Sequence, residues 1–315
     1  MRELRRVSSD NRLDGSPDGS AEFEAQRPRL LGLAYRLLGS VSDAEDVVQE
    51  AWFRWAATDR ATIERPIAWL TTVVSRLGLD RLRATSRSRV DYVGPWLPEP
   101  LVRPISHDDP ALTAEVSDSL TTAFLVLLEA LTPEERLVLL LVDVFGESFR
   151  AAATASGKSE EACRQLAVRA RRKVRQRSPD SPVRQATGAE QLAVASAFVG
   201  AVMTGDLEAV LTLLSPDVVL VSDGGAQRHA ARRPVVGAER VARFVVNIGR
   251  RYPAETQFDP VWVNGRPGVL MSLGAAPSVP YMITAVEVEN GRVTRCFSIL
   301  NPDKLRSVGE MPQLV

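Results

Sequence analysis

Over residues 21–89 apolar side chains recur every three or four positions, the period of amphipathic helices. A first helix is predicted from about Phe23 to Leu38, ended by Gly39. Ser42, with Glu45 three residues on, has capping-box spacing and predicts the start of a second helix. There Ala44, Val47, Val48, Ala51, Trp52 and Trp55 form one apolar stripe, and Asp43, Glu45, Asp46, Gln49 and Glu50 lie off it. Pro66 opens a third helix through Leu70, Val73, Val74 and Leu77. Its far end carries Arg76, Arg81, Arg83, Arg87 and Arg89 against a single acid, Asp80.

The period breaks at residues 90–118, where prolines stand at 95, 98, 100, 104 and 110 and exclude a helix or a central strand. A mostly extended linker is expected. Its segment YVGPWLPEP nevertheless carries Tyr92, Trp96 and Leu97, more apolar area than a free spacer exposes, so it is expected to dock on another part of the chain.

Helical spacing returns near Asp118 and extends to 178. Thr132 as N-cap, Pro133 at the first helical position and Glu135 closing a capping box mark one start. A short helix, a Ser-Gly-Lys turn at 156–158 and a second amphipathic helix follow. In the second of these Cys163, Leu166, Ala167, Ala170 and Val174 point inward, leaving Glu160, Glu161, Arg164, Gln165, Arg171 and Arg172 outside. Two helices around such a turn, the second one basic, read as a helix-turn-helix. The alternative is a basic helix on the surface of an unrelated bundle.

After a short linker at 179–189, residues 190–315 change to an α+β pattern. Two helices (about 190–204 and 206–214) precede the strand DVVLVSDG, a helix over GAERVARFVVNIGRR and strands near 257–264, 267–274, 280–289 and 292–299. Asn290-Gly291 between the last two predicts a tight hairpin.

Charge sharpens this picture. The 315 residues carry 39 basic and 39 acidic side chains, so affinity for a polyanion must come from local patches. One such patch runs from Arg164 to Arg177 and includes Arg169, Arg171, Arg172 and Lys173 without an acid. In a major groove, Glu160, Glu161, Arg164 and Gln165 are placed to read base edges, and Arg169, Arg171, Arg172 and Lys173 to grip phosphates. Cys163 and Cys296 sit far apart in apolar patterns and read as reduced thiols, which suits the cytoplasm. His107 and His229 have no ligand partner at metal spacing, so neither metal nor other cofactor is expected. Residues 1–20 form a polar tail without a signal-peptide core, and no stretch is long and apolar enough for a membrane span.

The motifs DAEDVVQEAWFRW (43–55), AWLTTVVSRLGLDRLR (68–83) and LTPEERLVLLLVDVFG followed by the helix-turn-helix resemble, in this order, regions 2 and 4 of the extracytoplasmic-function sigma factors of bacterial RNA polymerase. The resemblance covers about residues 22–177. It implies partners: core RNA polymerase, met through its β′ clamp helices and β subunit, and promoter DNA. Asp43, Glu45, Asp46, Gln49 and Glu50 would contact the clamp helices, and Arg76, Arg81, Arg83 and Arg87 the −10 element. The basic helix at 160–177 would read the −35 element.

The last domain resembles the SnoaL-like, NTF2-like fold, a sheet curled around helices with a cone-shaped pocket. With YVGPWLPEP, Asp223-Gly224-Gly225 and the NPDKL turn at 301–305, the whole resembles a sigma-factor group that bears this extension. The expected architecture is therefore two all-α domains and a C-terminal α+β cone. Tyr92, Trp96 and Leu97 are expected to meet Asp223, Asn301, Asp303 and Lys304 and to regulate the protein in cis, leaving a separate anti-sigma factor unnecessary. The rival reading is a stand-alone helix-turn-helix regulator whose C-terminal domain senses a ligand or acts as a cyclase, with Asp223 as general base.

Overall fold

The computed structural model describes residues 19–88, 92–105, 118–177, 187–273, 281–306 and 308. Three helices, α1 (Gly19–Leu38), α2 (Val41–Ala57) and α3 (Pro66–Ser88), form the first unit. The cap of α2 differs from the sequence expectation. Ser40, not Ser42, is the N-cap, its hydroxyl accepting from the Asp43 amide at 3.2 Å. The N-cap therefore directly follows the left-handed Gly39, and the helix begins at Val41.

The second unit comprises α4 (Thr122–Leu128), α5 (Pro133–Leu139), α6 (Phe149–Ser156) and α7 (Glu160–Arg177). The capping box of Thr132 and Glu135 starts α5, and a π-helical turn at Leu140–Val144 ends it. Gly157 makes the turn from α6 to α7. Cys163, Leu166, Ala167 and Ala170 are buried, as their spacing predicts. One continuous apolar core joins the two units, running from Phe23, Leu37 and Trp55 through Leu82 to Leu128, Leu140 and Ala170.

The third unit holds α8 (Gly188–Thr204), α9 (Leu207–Leu213) and α10 (Ala238–Gly249) against a seven-stranded sheet. Its strands are β1 (Val102–Pro104), β2 (Leu214–Asp223), β3 (Val235–Val236), β4 (Gln257–Val263), β5 (Arg266–Ser272), β6 (Met282–Glu289) and β7 (Arg292–Ile299). They lie in the order β1-β4-β5-β6-β7-β2-β3, and among the described strand pairs only β2 and β7 run parallel. The β6–β7 hairpin turns on Asn290-Gly291, both at positive φ as an Asn-Gly turn requires. Alternation along the strands splits the sheet into two faces. Val286, Val293 and Cys296 face the helices, whereas Ala285, Phe297 and Ile299 face Leu97 of the linker and, more peripherally, α4. Strand β1 itself comes from the proline-rich linker. Pro104 stands at the sheet edge, where its missing N–H costs nothing, and the strand pairs with β4.

Candidate functional site

Of the acids picked out on α2, Asp43 and Asp46 meet Arg81 of α3. Arg81 donates twice to Asp43, at 2.9 and 2.6 Å, and reaches Asp46 at 3.5 Å. Glu45 and Glu50 are exposed on the same helix, Glu50 pairing with Arg54 at 3.1 Å. Gln49 is exposed between them. On α3, Arg76 donates to the Thr154 carbonyl of α6 at 2.8 Å. Arg83 bridges Asp80 at 3.3 Å and Glu134 of α5 at 2.8 Å. The side chains of Arg87, Arg89 and Arg177, and all of His107, lie outside the described residues.

The acid-free run on α7 is not free of acids in space. Asp143 on the π turn binds Arg171 through both carboxylate oxygens, at 2.5 and 2.9 Å. Glu135 takes Lys173 at 2.6 Å and Arg169 at 3.5 Å. Burial alone would raise the Glu135 carboxyl, but Lys173 and the Thr132 amide override it and hold it below its ordinary value. At the head of α7, Arg164 pairs with Glu160 at 3.0 Å and lies over the Phe149 ring at 5.5 Å. Glu161, Gln165, Val168 and Arg172 are exposed along the outer face.

Contacts between the first two units are polar as well as apolar. Arg136 is 2% exposed and donates to the Leu37 carbonyl of α1 at 2.9 Å and to Leu128 at 3.1 Å. Glu129 completes its shell at 2.5 Å. Arg29 reaches Glu147 at 2.8 Å and sits over the Phe145 ring. Buried Arg36 donates to Gly32 and Ser119, and desolvation brings its guanidinium down to about 10.

The linker is held on both sides. Asp223, fully buried at the end of β2, accepts from the Tyr92 hydroxyl at 2.6 Å, the Leu97 amide at 2.8 Å and Lys304 at 2.7 Å. Asn301 donates to the Tyr92 oxygen at 2.8 Å, and Lys304 also donates to the Leu97 carbonyl. The same ammonium stands 4.1 Å from the centre of the Trp96 ring, a cation–π geometry. Burial and then the Asp223 bond hold the Tyr92 phenol protonated, well above its ordinary value. Gly225 donates to Asp223 at 3.1 Å, and a Cβ there would lie 2.8 Å from the Asn301 amide, which explains glycine in this position. Asp303 stands outside this cluster. It is exposed, bound by Gln227 at 3.2 Å and Arg306 at 2.7 Å.

On its other side the linker grips the first unit. Buried Glu99 accepts from the Val41 and Ser42 amides and so caps α2 from outside the helix. Burial raises its carboxyl, and those amides oppose the shift. Trp96 packs so close to Gly39 that a Cβ there would fall 2.5 Å from the ring.

Asn264 joins all parts and was not singled out by sequence. It sits at positive φ in the β4–β5 turn and is 2% exposed. Its amide donates to the Tyr35 oxygen at 2.8 Å and the Leu120 carbonyl at 3.0 Å, and accepts from the Leu101 amide at 3.2 Å. The signal was present: Asn264-Gly265 is a second Asn-Gly pair between strand-like runs.

Residues 23–88 match the model of Sigma-70 region 2, and residues 121–174 that of Sigma-70 region 4. The ECF RNA polymerase sigma factor SigJ of Mycobacterium tuberculosis is 40% identical over 300 residues, which cover 90% of this chain and 92% of that protein. A probable ECF RNA polymerase sigma factor of the same species, SigI, is 33% identical over 91% of this chain and 94% of its own. The crystal structure of SigJ superposes with a TM-score of 0.71 at 39% identity, covering 90% of this chain and 97% of that one. With both helical regions matched by family models and 90% of the chain covered by a relative 40% identical to it, the chain belongs to the ECF sigma factors of RNA polymerase.

Proposed function

We propose that this sigma factor directs promoter-specific initiation under control of its own C-terminal domain, through the linker clasp. The observation that carries the reading is the Asp223 carboxylate, fully buried and bound to Tyr92, Leu97 and Lys304 together. A linker fastened to the α+β domain and, through Glu99, to the first helical unit fixes how the −10 and −35 readers are spaced. Releasing the clasp changes that spacing and hence promoter use.

Glu45, Gln49 and Glu50, with Asp43 and Asp46, are the proposed contacts to the β′ clamp helices, and α7 is the proposed −35 reader. Asp43 and Arg81 share an ion pair in the free chain, so one of these contacts forms by exchange of partners. Three of the phosphate candidates on α7 likewise begin paired to Asp143 or Glu135. Both features support a chain that is poised for binding but internally neutralised. The proposed setting is the cytoplasm, and no described helix is long and apolar enough to cross a membrane. Asp223, the acid a cyclase-like reading would use as base, has its carboxylate committed to the linker, which favours regulation over catalysis.

Run-off transcription with core RNA polymerase tests the proposal. Asp223→Ala, Lys304→Ala and Trp96→Ala should each shift promoter output in the same direction relative to the intact chain. Output identical to the intact chain in all three would remove the clasp from regulation.

A further inference from the structure

Between the sheet and its helices lies a cavity of about 700 Å³, within the range of small-molecule sites. Its floor is set by strand residues Leu220, Ser222, Val286 and Cys296, and its walls by Val199 of α8 and Val245 of α10. Tyr252 stacks edge-on with Phe258 and Tyr281, at 6.3 and 6.4 Å between centroids, and lines one side with flat apolar surface. Exposed Met203 and Leu273 stand on the lining, where exposed apolar side chains form an entry for an apolar guest. The polar groups in the lining are mostly hydroxyls. Thr284 and Ser298 bond each other at 2.9 Å, whereas the buried Thr256 hydroxyl has no hydrogen-bond partner among the described residues. No carboxylate is among the described lining residues, and the Arg251 guanidinium, like the His229 ring, is exposed to solvent where it meets the cavity.

The cavity also abuts the clasp. Alternation along β2 turns Ser222 into the cavity and the next residue, Asp223, toward the linker. At the end of β7, Leu300 lines the cavity while its amide donates to the Asp223 carbonyl at 2.7 Å, and Asn301 follows it. His229, Ala230 and Ala231 line this cavity and also a crevice that Val93 and Gly94 of the linker line as well.

We infer that this cavity binds an uncharged, planar, largely apolar small molecule with one hydrogen-bonding group, and that its occupancy is coupled to the linker clasp. The aromatic wall accounts for planarity. The absence of a described acid disfavours a cation, and the apolar floor disfavours an anion, because Arg251 is solvated and a buried ion without a partner is costly. The buried Thr256 hydroxyl, without a partner among the described residues, supplies a polar contact still unmade. The coupling rests on the clasp reading above; the site itself does not.

The probe is prodan, an uncharged naphthyl ketone whose emission shifts to the blue in apolar surroundings. Titrated with the full chain, it should bind saturably, one per chain, and 2-acetonaphthone should displace it. The anion 2-naphthoate should compete at least tenfold less well. Val199→Trp and Val245→Trp, which fill the cavity from two helices, should raise the Kd at least tenfold with melting curves unchanged. By reciprocity of linked equilibria, Tyr92→Phe should change the prodan Kd at least threefold, although Tyr92 does not line the cavity. Absence of saturable binding, equal competition by naphthoate, or full binding by both folded fillers overturns the site, whatever transcription shows. An unchanged Kd in Tyr92→Phe overturns the coupling alone, and transcription by that variant judges the clasp separately.

Discussion

The Tyr35 phenol and the Asn264 side-chain amide are hydrogen-bonded at 2.8 Å across 229 residues of sequence, one in the first helix, the other in a turn of the last domain. Tyr35 passes the contact on, donating to the Glu99 carbonyl of the linker at 2.6 Å. Both side chains are buried, so water cannot replace either bond. Burial, more than any neighbour, holds the phenol protonated.

Tyr35→Phe should therefore destabilise the whole chain, not one domain. It leaves the Glu99 carbonyl and one Asn264 proton unpaired at the domain junction, at a cost of about 1–3 kcal/mol. Urea unfolding should show a lower midpoint with an unchanged slope. An unaltered midpoint would mean that the junction does not contribute to stability.

Helices and strands were legible because their apolar periods are strong: the stripe on α7 and the Asn290-Gly291 hairpin stand where spacing places them. The cap of α2 was misread because Ser42-x-x-Glu45 matches a local rule, while the true cap is shared between Ser40 and distant Glu99. The linker's apolar residues announced docking, but its use as an edge strand needed β4 as partner. Least legible were ion pairs between distant segments. A run of cations from 164 to 177 shows no acid in sequence, yet Asp143 and Glu135 reach it through the fold of α5 over α7.

That neutralisation yields a prediction about affinity. Asp143→Asn frees Arg171 without removing it, so binding to any duplex should tighten. The slope of log K against log salt should steepen by about one. Arg172→Ala, at an exposed cation, should do the reverse, weakening all sequences alike and making the slope shallower by about one. Arg164→Ala should instead relax choice at one base position by about 1–3 kcal/mol. Filter binding over a salt series separates these outcomes; identical slopes for all three would remove α7 from the DNA.

Glu287 predicts a pH effect on stability. It is 8% exposed, one carboxylate oxygen has no hydrogen-bond partner among the described residues, and Arg266 is 3.9 Å away. Burial raises its carboxyl above the ordinary value, against the pull of Arg266 and Arg295. The folded chain therefore holds this proton to higher pH than the unfolded chain does. Stability from this group is full below the ordinary glutamate range, about 4.3, and is lost as pH rises through the raised folded value. Glu287→Gln abolishes the titration, so its stability relative to the parent should grow with rising pH. Thermal melts of both proteins from acid to neutral pH check the sign; a difference that shrinks with pH contradicts it.

The pair Arg83–Glu134 gives a test of how the two DNA-binding domains relate. Arg83 belongs to the proposed −10 surface, yet donates to Glu134 of the other domain at 2.8 and 3.1 Å. Arg76 of the same helix is likewise tied to Thr154 at 2.8 Å. While bound in this way Arg83 is not available to DNA, so the proposed −10 contact requires this tie to be exchanged. Glu134→Ala removes the partner and keeps Arg83, whereas Arg83→Ala removes both the tie and the proposed DNA contact. The two variants should thus move initiation in opposite directions. Glu134→Ala should raise run-off transcription from a cognate promoter, and Arg83→Ala should lower it. The pair is partly solvated, so the tie itself contributes at most about 1 kcal/mol and the increase should stay within roughly fivefold. If both substitutions lower output equally, the contact supports the active form instead and the domains need not separate along α3.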